Sequence, residues 1–353
     1  MYRILAINPG STSTKIALYE NEAPKLQSNL LHSPDDLARY PTVWDQYEFR
    51  LTAVRSELGA WNIGLHKLDA VVGRGGLLRP VEGGIYRVNQ RMLQDARANL
   101  QGEHVSNLGC ALAYEIGRDR NAPAFVVDPV SVDEFEPLAR YSGHPLIERK
   151  ALAHALNIHA VARRASTAFG KKLEETNFIV AHLGGGISIA PVRGGRIIDV
   201  NDASSDGPFS PERTGGLPLQ QFISLCFSSK YSEAEMRKLV MGNGGLRAYL
   251  GTSDATEVEQ RIAQGDKKAH EVYEAMAYQI AKEIGAMATV LSGRVDAIII
   301  SGGLANSTML VRWIRERVSF IAPVIIMPGE DEMQAMAAAA LRVLLGEEEA
   351  RDY

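Results

Sequence analysis

The stretch Ile4-Leu-Ala-Ile-Asn-Pro-Gly-Ser-Thr-Ser-Thr-Lys-Ile-Ala-Leu18 decides the fold. A mostly apolar run of strand length leads into Asn8, Pro9 and Gly10. Ser11, Thr12, Ser13, Thr14 and Lys15 follow, and apolar residues resume at once. Pro9 and Gly10 mark a tight turn, and both flanks have strand character, so the spacing predicts a β-hairpin. Its tip carries four hydroxyls, a glycine that allows close backbone approach, and one lysine, which together suit an anionic group such as phosphate. A P-loop would open a helix and set its lysine directly before Ser or Thr. Here Lys15 precedes Ile16, and no helix signal follows. Taken alone, the tip also fits an ordinary polar turn, which uses the same residues.

The chain has 353 residues, 46% hydrophobic and 23% charged, enough for two cores of an ordinary soluble protein. A formal charge of -4 argues against a nucleic-acid or membrane surface. Two cysteines, Cys110 and Cys226, make no disulfide framework and fit a reducing cytosol. No apolar leader follows Met1 and no run approaches a membrane span, so the expected location is cytoplasmic.

After the hairpin, Lys25 to His32 reads as a third strand. Ser33-Pro34 then caps a helical stretch that Pro41 interrupts before it runs on toward Leu58. Leu68 to Gly76 is a short buried strand that presents Arg74 in a glycine turn, at the end of a strand where open α/β folds place ligands. Helical patterns near Asn89 to Leu100 and Ser106 to Arg118 precede a strand ending in Asp128-Pro129. Asp128 suits either an Asx-type turn or a magnesium ion. Glu148 to Phe169 reads as one long helix with Arg149, Lys150 and His154 near its start, a cation cluster that could meet phosphate.

The second half repeats the first. Asn177 to Leu183 and Ile187 to Val192 are strands around Gly184-Gly185-Gly186, and Arg196 to Val200 is a third. Helical patterns at Leu217 to Phe227 and His270 to Leu291 lead to a buried strand ending in Ser301-Gly302-Gly303. A helix, the strand Pro323 to Pro328 and a helix from Glu332 complete the set. The tail from Glu347 reads as a solvated, frayed end. Two copies of three strands, helix, strand, helix, strand, each opening on a phosphate-friendly hairpin, predict two lobes with a nucleotide in the cleft between them.

These residues resemble the acetate and butyrate kinase family along the whole chain. Asn8-Pro-Gly-Ser-Thr-Ser-Thr-Lys15 is similar to its first signature, and His182-Leu-Gly-Gly-Gly-Ile-Ser188 to its phosphate loop. Arg74-Gly-Gly-Leu-Leu, Gly102-Glu-His, Ser142-Gly-His-Pro and Gly207-Pro-Phe-Ser-Pro-Glu-Arg213 resemble the butyrate kinase branch. The resemblance implies two duplicated RNase H-like α/β domains of the actin, Hsp70 and sugar kinase type. Their expected extents are residues 1–155, with the C-terminal helix of about 332–353 packing back, and 156–331. It implies reversible phosphoryl transfer between ATP and butyrate or a similar short or branched-chain fatty acid, with magnesium or manganese, in a homodimer or larger assembly.

Carried over by position, Arg74, Asp128, His154 and Arg213 match catalytic residues. Asn8, Ser11, Ser13, Lys15, His182, Gly184, Gly185, Gly186, Gly302 and Gly303 match nucleotide-binding positions. Asn8 and Glu332 match the metal site, where Glu330 and Asp331 compete with Glu332 as the acid. Acetate kinases carry asparagine at Gly185, a second histidine in a Phe-His-Gly-Thr-Ser-His stretch that reads Ala153-His-Ala-Leu-Asn-Ile158 here, and a differently spaced segment around Arg213. These departures point toward butyrate or branched-chain acid kinases. Rival readings are a sugar or polyol kinase, which would need Asp128 as a base, and a nucleotide-switched protein of the actin or Hsp70 type.

Overall fold

The computed structural model describes residues 1–62 and 68–353. The opening stretch forms β1 (Arg3–Pro9) and β2 (Ser13–Glu20), antiparallel, with Asn8 opposite Lys15 and Pro9 opposite Thr14. The Gly10 N–H closes the tip onto the Ser13 carbonyl at 2.7 Å. In chain order β3 (Ala23–Leu31), α1 (Pro34–Leu37), α2 (Tyr47–Ala60), β4 (Ala70–Arg74), β5 (Ile85–Arg87), α3 (Gln90–Arg97), α4 (Asn107–Arg120) and β6 (Ala124–Val127) follow. Next come α5 (Ala155–Ala168), β7 (Asn177–Leu183), β8 (Ile187–Arg193), β9 (Arg196–Ile197), α6 (Leu219–Cys226), α7 (Glu233–Val240), α8 (Gly245–Leu250) and α9 (Ala255–Ala263). The chain ends with α10 (Lys267–Val290), β10 (Ala297–Gly302), α11 (Thr308–Val318), β11 (Val324–Pro328), α12 (Glu332–Leu345) and β12 (Arg351–Asp352).

Two compact units result: Met1–Asp133 with Asp331–Tyr353, and Glu134–Glu330. Residues 134 to 155, read from the sequence as the end of the first domain, pack with the second unit. The first unit holds a sheet in the order β12-β5-β6-β4-β1-β2-β3, with β1, β4 and β6 parallel. The second holds β11-β10-β7-β8-β9, with β7, β10 and β11 parallel. Setting β5 and the edge strand β12 aside, each sheet runs third, second, first, fourth, last in the order of its own half.

In the first unit Leu5, Ile7, Ile16 and Leu18 meet Val54 and Leu58 of α2 and Leu112 of α4. In the second, Ile179, Ala181, Ile298 and Ile300 meet Tyr273, Met276 and Ile280 of α10. Helix α12 packs on β1 and β4, and α5 packs on β7 and β10.

Three expectations need correction. The helix read from Glu148 starts only at Ala155. The Arg149 N–H is held by the Arg140 carbonyl at 3.1 Å, and its guanidinium by Asp199 at 2.8 Å and the Val200 carbonyl at 2.9 Å, so that residue serves a loop contact. The third strand of the second half is cut to Arg196–Ile197. The tail is ordered: β12 pairs with β5, and the Tyr353 hydroxyl accepts from the Arg79 N–H at 2.9 Å and donates to Asp95 at 3.1 Å.

Candidate active site

Parallel strands present their carboxyl ends at one edge of a sheet, and in the first unit that edge gathers Asn8 on β1, Arg74 on β4 and Asp128 just past β6. Glu332, the first residue of α12, completes the set. Asn8 Nδ2 donates to Glu332 Oε2 at 2.7 Å, and Arg74 Nη2 lies 3.1 Å from Glu332 Oε1. Arg74 is buried, and its Nη1 donates to the Asp128 carbonyl at 3.3 Å. Asp128 is buried with a left-handed φ of 37°, a costly conformation for a side-chain-bearing residue. Its Oδ1 accepts the Gly84 N–H at 2.7 Å, so the carboxylate ties down a neighbouring loop.

Of the three consecutive acids, Glu332 stands beside Asn8 and Arg74. Asp331 occupies the N-cap position of α12, and Glu330 belongs to the second unit. Ser11 and Lys15 are exposed at the hairpin tip, with Ser13 half-buried between them.

The second unit places its glycine turn between β7 and β8, where the Gly184 N–H meets the Gly186 carbonyl at 3.2 Å. A Cβ on Gly186 would come within 2.5 Å of Arg213 Nη1, so the guanidinium would have to shift. Arg213 therefore lies directly on the turn. Its Nη1 donates to the Ala203 carbonyl at 3.1 Å, and burial pulls its pKa down. Ser210 links the two segments: its hydroxyl donates to the Gly185 carbonyl at 2.5 Å and accepts the Arg213 N–H at 3.2 Å.

His154, at the N-cap of α5, stacks on His182 with ring centroids 4.1 Å apart and planes 25° from parallel. His154 Nδ1 is 2.9 Å from the Ser188 hydroxyl. His182 Nδ1 is 2.9 Å from Asn157 Oδ1, which also accepts from the Ser301 hydroxyl at 2.7 Å. Asn157 Nδ2 donates to the Glu330 carbonyl at 3.1 Å. Because that bond fixes the amide, Oδ1 is an acceptor only and His182 Nδ1 carries the hydrogen. His182 Nε2 then faces Glu330 Oε1 at 3.8 Å. Like charges on two stacked rings repel, so the pair favours at most one imidazolium.

Gly302 has a φ of 86°, and a Cβ there would strike the Leu183 carbonyl, so its glycine is required by β10 packing on β7. Beside Gly303 a Cβ would meet nothing within 4 Å, which leaves that position open to a bound group.

Sequence reasoning missed Asn157, Ser188 and Ser301, three wholly buried polar residues that orient the histidines. It also missed Arg50 and His32 beneath the first hairpin. Arg50 does leave a trace: it falls on the helical stripe that buries Leu51, Val54 and Leu58, where an apolar residue is expected. Among the described residues no three His, Cys, Asp or Glu side chains gather into a metal-holding set. Glu332 and Asn8 do offer the hard oxygen donors that magnesium takes alongside phosphates.

A model of the acetokinase family matches residues 140–326. The chain belongs to the acetokinase family. As a member it is an ATP-binding phosphotransferase with a carboxyl group as acceptor. Solved acetokinase-like structures share its fold. Porphyromonas gingivalis acetate kinase matches at a TM-score of 0.80 with 19% identity, over 98% of this chain and 100% of that one. Francisella tularensis propionate kinase matches at 0.76 with 19% identity, over 96% and 99%. Entamoeba histolytica acetate kinase matches at 0.77 with 13% identity, over 94% and 97%. This acetokinase thus has the duplicated α/β fold of actin, Hsp70 and the sugar kinases. Among its described residues no helix is long and apolar enough to cross a membrane.

Proposed function

We propose that the chain transfers the γ-phosphoryl group of ATP reversibly to the carboxylate of butyrate, or of a similar short or branched-chain fatty acid, giving ADP and an acyl phosphate. The observation that carries the carboxylate over a hydroxyl acceptor is the match of residues 140–326 to the acetokinase family. A sugar kinase needs an aspartate to take a hydroxyl proton; here Asp128 Oδ1 holds the Gly84 N–H and its carbonyl holds Arg74, contacts that suit a residue seating the arginine. A fatty acid, with a pKa of about 4.3 like glutamate, is already ionised near pH 7 and needs no base.

The obstacle is repulsion between an anionic nucleophile and a polyphosphate. On this reading Arg74, Arg213 and His154 offset the charge on the transferring group in line. Asn8, Ser11, Ser13 and Lys15 on the first hairpin, and His182 with Gly184 to Gly186 on the second, hold nucleotide phosphates. Gly302 and Gly303 lie toward the adenosine. Glu332 and Asn8 would hold magnesium or manganese, which supplies further charge neutralisation when bound. Asp128 shapes the loop that seats Arg74.

Butyrate is favoured by the branch-specific stretches, and by buried Ala153 beside His154, where the acetate kinase pattern has phenylalanine. The same resemblance suggests a homodimer or larger homo-oligomer, and the composition a cytoplasmic location.

Trapping acyl phosphate with hydroxylamine, using ATP and a panel of acetate, propionate, butyrate and isobutyrate beside a sugar control, tests the reading. Butyrate or isobutyrate should give the highest kcat/KM, and turnover of the sugar alone would sink it. Arg213→Ala should lower kcat about a hundredfold, the ~3 kcal/mol of one lost transition-state contact, with ATP affinity within a fewfold.

A further inference from the structure

We propose that Arg50 is the positioning residue of the first hairpin, a buried guanidinium that turns the tip carbonyls inward so that the Ser11 and Thr12 amides face the nucleotide phosphates. The inference rests on the nucleotide-binding reading above.

Arg50 sits on α2 with no exposed surface. Its Nη1 lies 2.9 Å from the Gly10 carbonyl, 2.9 Å from the Ser13 carbonyl and 3.0 Å from Thr14 Oγ1. Its Nη2 donates to the Ser11 carbonyl at 3.1 Å and to Gln46 Oε1 at 2.8 Å, and Nε donates to the same Gln46 oxygen at 3.0 Å. One side chain therefore gathers almost the whole tip, whose own closure is the single Gly10 to Ser13 bond.

The consequence follows from peptide geometry. In a trans peptide the carbonyl and the next N–H point in opposite directions. Gly10 and Ser11 carbonyls drawn in to Arg50 therefore send the N–H groups of Ser11 and Thr12 outward. No hydrogen bond within the described residues engages either amide. Two successive outward amides on a turn form an anion cradle.

The charge leads to the same conclusion. Every acceptor around Arg50 is a neutral oxygen, and among the described residues it makes no ion pair. A buried cation without a counter-ion is costly. An anion on the outer side of the tip supplies the missing charge, which a neutral cap on the same carbonyls could not use.

The test is calorimetric binding of ATP, ADP and adenosine to the full chain and to Arg50→Met and Arg50→Lys. The wild type should bind ATP more tightly than adenosine. Arg50→Met should lose about tenfold of that advantage or more, with adenosine affinity within twofold and KM for ATP rising in parallel. Arg50→Lys should lose most of it despite keeping the charge, because an ammonium cannot span three carbonyls in a fixed fork. Should Arg50→Met fail to fold, Arg50→Lys carries the same comparison. An undiminished ATP advantage in a folded variant overturns the inference, as does an equal loss of ATP and adenosine binding. A wild type that gains nothing from the phosphates refutes instead the nucleotide reading on which it rests.

Discussion

His32 should give the fold a pH dependence of stability that the active-site chemistry does not require. Burial, and next the Arg50 charge, pull its pKa from 6.5 to about 4, with Asp36 opposing. The ring lies edge-on to Phe49, and its Nε2 is 2.9 Å from Thr14 Oγ1. Since Thr14 accepts from Arg50, its hydroxyl hydrogen is available to a neutral His32. With the folded pKa below the unfolded one, protons bind the unfolded chain preferentially. Stability is full above about pH 6.5 and falls as the pH drops toward 4. Urea denaturation at pH 7.5 and pH 5 should show a larger loss for the wild type than for His32→Gln, and equal losses would exclude this histidine as the cause. Asn8 and Arg74 could be singled out in the sequence because polar chemistry at strand ends and glycine turns stands out, whereas His154 and Arg213 were given catalytic roles only through the family resemblance. Arg50 and His32 were hidden, since nothing in a single chain says that a cation on a helix's apolar stripe has a hairpin tip for a partner.

Helix α4 reaches β4 through a pair of glycines, and this contact seats Arg74. A Cβ on Gly73 would run into the Gly109 carbonyl, and one on Gly109 into the Arg74 carbonyl. Gly73→Ala should cost about 3 kcal/mol of unfolding free energy, as overpacking against rigid backbone does. Gly59→Ala in α2, where a Cβ meets nothing within 4 Å, should be neutral or stabilise by about 0.5 kcal/mol. Equal effects of the two in urea melts would contradict the contact. The hairpins and buried strands could be read from the sequence because alternation and Pro or Gly punctuation are local signals. Helix α5 was read too long because Glu148 to Ala153 has helix-forming composition, while Arg149 is committed to Asp199 from far along the chain. The short α7, α8 and α9 carry few apolar repeats, and the pairing of β12 with β5 is non-local by nature.

At the level of the whole molecule, the two halves share one sheet order, and that repeat was visible in the sequence. The sequence led us to expect α12 packing back on the first half and α5 within the second; α12 packs on β1 and β4, and α5 on β7 and β10. Removing residues 331–353 deletes Glu332, the partner of Asn8 and Arg74, and uncovers the face of β1 and β4 on which α12 packs. Hydrogen exchange should then lose protection in β1, β2 and β4 while β7, β8 and β10 keep theirs. Retained protection in the first sheet would show that α12 is dispensable to it.

The same connectivity orders events during translation. Glu134–Glu330 is one uninterrupted segment, whereas β1, β2 and β4 are made well before α12, the helix that packs on β1 and β4. Until α12 emerges, the face of β1 and β4 on which it packs stays open on the nascent chain, and it is this early-made sheet that chaperones would have to shield.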